Sequence, residues 1–183
     1  MADFRALILQ RHRHLKWKVF DRLEALLMIL CGVCIFMFTL TVFCDVVTRT
    51  IGRPWLWLQL VTTGFFAYGV FIGMAVAIRR HDHLYLSEIT RRTHGLTRTI
   101  LETINRVVVL AVALAMVWYG YKNFQLDLGS FRAPSLIPLG TYTIIVPISG
   151  AFIALFAVEQ LVNGWRHGFA GPEDADIVVP VVT

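Results

Sequence analysis

Long charge-free apolar runs, separated by short basic or proline-containing segments, set the pattern of this chain. Residues 25–44 contain no Asp, Glu, Lys or Arg, and neither do residues 55–78. A helix rising 1.5 Å per residue needs about 20 such residues to cross a hydrocarbon core of about 30 Å, so each run predicts one membrane span. Residues 107–121 make a shorter run, which extends to Leu126 if the Lys122 ammonium snorkels to the interface. Residues 133–158 make the fourth, and Pro134 and Pro138 place the start of its regular helix near Gly140. The expected spans are about residues 23–47, 55–79, 98–122 and 139–163. Together, about residues 19–166 form one four-helix membrane domain. The first run is too long for the h-region of a signal peptide and predicts a retained anchor. The fold class is therefore all-α integral membrane. A short amphipathic helix is expected in the interface at about residues 83–94, with Leu84, Tyr85, Leu86 and Ile89 toward acyl chains and Glu88, Arg91 and Arg92 toward water. About residues 1–18 form a basic leading segment, and about residues 167–183 a flexible tail.

Composition strengthens this picture. Hydrophobic residues make up 57% of the 183 and charged residues only 16%, against about 45–50% and about 25% in soluble domains. A soluble fold of this size could not hide that much apolar surface. A soluble enzyme, a nucleic-acid-binding domain and a secreted disulfide scaffold are thereby excluded. The formal charge of +5 has a pattern as well. Thirteen of the 17 basic residues lie before span one, between spans two and three, or after span four. The positive-inside rule then puts both termini on the cytoplasmic side of the membrane. Trp17, Trp55, Trp57, Trp118, Tyr119, Tyr121 and Trp165 fall near span ends, as an aromatic belt requires. Trp17, Trp57, Arg80, Arg91 and Arg92 are the expected anchors to membrane phospholipids. The external loops, about residues 46–54 and 123–139, are too short to hold a substrate-binding domain.

Candidate chemistry is sparse. Ion-coupled carriers put ionisable groups deep in their helices. Here Asp21, Glu24, Asp45, Glu102 and Glu159 all read as span-end residues within reach of headgroups or water. The six histidines lie outside the spans, where they cannot ligate a haem within a bundle. His81 and His83 lack further ligands at metal spacing, so neither a metal nor a cofactor is expected. Cys31 and Cys34 have dithiol spacing but sit in a lipid-facing run, where they read as small apolar residues. Gly69, Gly73 and Ala77 recur every four residues, a smooth ridge for close packing either within the chain or against a partner. Asp45 and Arg49 stand one turn apart, acid first. Arg98, Glu102 and Arg106 form a stripe that is either solvated or faces another protein.

Residues 45–84, taken in order, resemble a known family. Arg49 ends span one, Trp57 opens span two, and Phe71-Ile72-Gly73-Met74-Ala75, Arg79 and His83-Leu84 follow without a gap. Pro138, Tyr142 and Pro147 repeat a proline–aromatic–proline pattern in the last span. Over about residues 20–163 the chain is similar to the small membrane subunit (DctQ type) of tripartite ATP-independent periplasmic (TRAP) transporters. Gln59 and Leu60 stand where the family commonly has acids, and Ser87 with Glu88 where an Asp often follows the His-Ile pair. The resemblance implies an accessory, non-enzymatic role in sodium-coupled, binding-protein-dependent import of organic acids. The implied partners are a large multi-span membrane subunit, which carries the transport sites, and a periplasmic substrate-binding protein. It also nominates Asp45, Arg49, Gln59, Gly69, Gly73, Arg79, His83 and Tyr142 as partner-facing or orienting residues. The rival reading is a small self-assembling channel or solo transporter lined by Thr39, Thr41, Thr62, Thr63, Thr141 and Thr143. A redox-enzyme membrane anchor is disfavoured by the histidine positions.

Overall fold

The computed structural model describes residues 15–80, 96–131 and 138–167. The interfacial helix expected at about residues 83–94, with His83, Arg91 and Arg92, lies outside the described residues, as does the tail beyond His167. Among the described residues four helices are long and apolar enough to cross a membrane. A 3-10 turn over Lys18–Phe20 leads into α1, Asp21–Thr50. Then come α2, Leu56–Arg80, and α3, Leu96–Asp127. The fourth span is split into a single turn, α4, Gly140–Thr143, and α5, Ile145–His167. Among the described residues no strand forms, and one isolated bridge joins Phe131 to Pro138 across the loop before α4.

Local chemistry explains where these helices stop. Asp21 and Glu24 lie in the first turn of α1 and Arg49 in its last, so each charge sits at the helix end whose dipole favours it. The end of α1 is a Schellman closure: Arg53 N–H donates to Thr48 O and Gly52 N–H to Arg49 O, both at 3.0 Å. Gly52 supplies the left-handed residue this needs, with φ of 79°. At 32 residues, α3 runs well past the expected end at 122 and is about 48 Å long, so it tilts or protrudes. Lys122 does not stop it, because its ammonium folds over the Trp118 ring 5.1 Å away. The break at Ile144 has one cause. Pro147 has no N–H for Thr143 O, and its ring crowds that carbonyl.

Packing gives the lateral order α1, α2, α5, α3, because α2 lies between α1 and α5 while α5 also packs on α3. Of the most apolar window, 11% is buried in α1 and 33% in the fourth span, as an edge and a middle position require. One core cluster joins Leu27, Ile72, Val76, Ile145 and Phe156; a second joins Ala75, Ala113 and Ile153. Glycines let the helices meet. A Cβ on Gly69 would lie 3.5 Å from Cys34 Cβ, and one on Gly73 would lie 3.3 Å from Cys31 Sγ. The ridge of span two is thus used inside the chain, against α1. The seam between α3 and α5 is tighter. A Cβ on Gly120 would meet Pro147 Cδ at 2.9 Å, and one on Gly150 would meet Ala113 O at 3.0 Å.

Candidate functional site

The start of α1, the end of α2 and the last turns of α5 converge on one buried charge cluster. Arg79 is its centre, with a side chain 0% exposed. Its Nε donates to Glu159 Oε2 at 3.1 Å, and one Nη donates to Glu24 Oε2 and Phe20 O, both at 2.7 Å. The other Nη faces Trp17 O at 3.1 Å and Asp21 Oδ1 and Glu159 Oε1 at 3.2 Å. Every N–H of the guanidinium fork thereby has an acceptor, which a lysine with three donors could not match. Arg79 Cζ also lies 5.3 Å from the centre of the Phe156 ring.

The carboxylates are equally committed. Glu24 Oε1 accepts from Arg80 Nε at 3.0 Å, and Glu159 Oε1 accepts the Trp17 backbone N–H at 2.6 Å. Glu24 and Glu159, 0% exposed, are therefore saturated by donors of the same chain. The cluster holds the carboxylates of Asp21, Glu24 and Glu159 near the cations Lys16, Arg79 and Arg80, a formal balance of zero. Burial lowers the Lys16 ammonium from its ordinary pKa, against the pull of Glu24 in the other direction.

The same carboxylates and amides tie down the chain before α1. Asn163 accepts from Trp17 Nε1 at 2.6 Å and donates to Leu15 O at 3.0 Å. One turn earlier, Gln160 Nε2 donates to Ile78 O at 2.9 Å, tying α5 to the last described turn of α2. Residues 15–20 thus form a strap joining α5 to the hairpin of α1 and α2. Ion pairs this deep are weak evidence of net stability but specify geometry, because any other arrangement leaves a charge unmatched. Chemically the arrangement is a clamp. Among the described residues no group of three or more His, Cys, Asp or Glu can hold a metal ion.

Two expectations need correcting. Glu24 and Glu159 do not face headgroups or water, because the strap and three converging helices enclose them. The stripe on α3 is neither solvated nor free for another protein at Glu102 and Arg106, which are 4% and 5% exposed and paired with each other. Close by, Trp165 Nε1 donates to Thr103 Oγ1 at 3.3 Å, tying α5 to α3.

The nominated residues fall in three places. Arg79, Gly69 and Gly73 are turned into the chain, and Tyr142 lies over Gly64, where a Cβ would meet its Cε1 at 3.1 Å. Arg80 pairs with Glu24 and Trp17 bonds to Asn163, so both expected lipid anchors also hold the cluster. The opposite end of the molecule is the open one. Arg49, 52% exposed, bonds Asp45 at 2.9 Å; Trp55 stacks on Trp57 at 5.9 Å; and Gln59 is exposed. Asp45 Oδ1 is buried with no hydrogen-bond partner among the described residues. Five of the six threonines offered for a pore donate their hydroxyls to carbonyls of their own helices: Thr39 to Ile35 O, Thr41 to Phe38 O, Thr62 to Leu58 O, Thr63 to Gln59 O and Thr143 to Gly140 O.

Sequence reasoning missed Glu24, Glu159, Gln160 and Asn163 as one site. A signal was available. Acids at the starts and ends of alternate spans share a membrane side with Arg79 and Arg80, and residues 159, 160 and 163 put polar groups on one face of an apolar helix.

Comparison with known proteins agrees with this architecture. The profile of a family described as "Tripartite ATP-independent periplasmic transporters, DctQ component" matches residues 38–167. No curated protein matches the chain.

Proposed function

Because the chain belongs to the DctQ family of small membrane components of TRAP transporters, we propose that it is the accessory subunit of a sodium-coupled, binding-protein-dependent importer of organic acids. In this reading it braces the large transport subunit in a bacterial inner membrane, with both termini cytoplasmic, and helps to dock the periplasmic substrate-binding protein. One observation carries the bracing role. The buried charged side chains Lys16, Glu24, Arg79, Glu102, Arg106 and Glu159 all engage groups of the same chain. A carrier must keep such groups available to desolvate an ion; a brace uses them to fix its own helices. Arg79, Gly69 and Gly73 then act by setting helix geometry, and the partner reads the result. Arg49, Gln59 and Asp45, at the open end, are the residues placed to meet a partner directly, and His83 is retained as an orienting candidate.

The channel alternative is disfavoured by five of the six threonine hydroxyls, which already donate within their own helices. Vesicles containing only the purified chain are expected to pass no current and accumulate no organic acid. Conductance or uptake by the chain alone would overturn the accessory reading.

A further inference from the structure

The break at Pro147 opens a groove of about 370 Å³ on the flank of α3, lined by Val112, Ala115, Met116, Tyr119, Asn123 and Thr143, among others. Its walls are almost wholly apolar along the membrane-spanning part of α3. At the end toward α4 the rim changes character. Tyr119 and Asn123 offer an O–H and an amide N–H₂ with no partner among the described residues. Lys122, next to Asn123 and three residues beyond Tyr119, is exposed and held over the Trp118 ring. The next acid along α3, Asp127, is a further turn away.

We propose that this groove is a phospholipid site, with an acyl chain along Val112, Ala115 and Met116 and the phosphate and glycerol esters at Tyr119, Lys122 and Asn123. The rim presents donors and a cation, and a phosphodiester with its ester carbonyls presents acceptors and a negative charge, so the two are complementary. A partner helix suits the site less well. Its backbone carbonyls are already bonded along its own axis, so it would leave the rim donors unmet. An acyl chain also conforms to the irregular wall that the proline break creates. This inference requires only that the chain sits in a bilayer, and it stands apart from the accessory role.

The test uses the full-length chain, purified in mild detergent with a delipidating wash and examined by native mass spectrometry. One retained phospholipid per chain is expected. Lys122→Gln, at an exposed position in contact with the Trp118 ring of the same helix, should lower the retained fraction about fivefold, the equivalent of about 1 kcal/mol for one cation beside a lipid phosphate. Ala115→Trp should fill the groove and abolish retention while the helix content stays unchanged. A photo-reactive phenylalanine at Ala115 in native membranes should yield a phospholipid adduct. No retained lipid, unchanged retention in Lys122→Gln, or a photo-adduct with another protein would each overturn the proposal, the last in favour of a partner helix.

Discussion

Replacing Arg79 with methionine is expected to cost about 3–5 kcal/mol, because it leaves buried carboxylates without their counter-charge. Glu24 and Glu159 are 0% exposed, and Arg80 and the Trp17 N–H, their remaining donors, reach only one oxygen of each. Against a total stability of about 5–15 kcal/mol that is a large share of the folding margin. The expected observation is loss of the monodisperse peak in detergent and of the chain from membranes. Two companions separate charge from shape. Arg79→Lys keeps the charge but has three donors instead of five, so an intermediate loss is expected. Combining Arg79→Met with Glu24→Gln and Glu159→Gln should recover part of the stability, since the two buried carboxylate charges are removed together with their main counter-charge. A wild-type melting temperature for Arg79→Met alone would show that the cluster does not hold these helices together.

The second large effect is expected at the seam of α3 and α5. Gly150→Leu places a Cβ within 3.0 Å of Ala113 O and Met116 Cβ and 3.1 Å of Val117 N. Two of these atoms are backbone and cannot rotate away, so α3 must move off α5, at about 1–3 kcal/mol or more. Gly120→Ala meets the same obstacle from the other side, in the fixed ring of Pro147. Gly32→Ala is the control: nothing lies within 4 Å of its Cβ position. There the change should be neutral or stabilising by up to about 1 kcal/mol, since a helical glycine is replaced by a better helix former. Thermal melts in detergent should place Gly32→Ala at or above wild type and Gly120→Ala and Gly150→Leu below it. Equal melting temperatures for Gly150→Leu and wild type would rule out a close seam.

The four spans were legible because charge-free runs of span length have few other uses. The fourth span was legible as a run, yet its internal break was not. Pro134 and Pro138 drew attention to its start, while the decisive residue is Pro147, four residues after the carbonyl it leaves without a donor. The charge cluster was hidden for a different reason. Arg79 and Glu159 are 80 residues apart, and a list of spans does not contain the lateral order α1, α2, α5, α3 that brings them together. The same gap misread Glu102 and Arg106, whose spacing on α3 was plain but whose burial depends on neighbouring helices. Gly69 and Gly73 announce a packing ridge through their four-residue spacing. Gly120 is the one glycine of α3, and on α5 Gly164 is fourteen residues from Gly150, so no glycine repeat within either helix points to their seam.

A small component of a larger importer should come out of the membrane with its large subunit. Affinity purification of the tagged chain from native membranes in mild detergent, with mass spectrometry of what is retained, is expected to recover a much larger, many-span membrane protein at about equal stoichiometry. Recovery of the chain alone, or only of copies of itself, would overturn the accessory role.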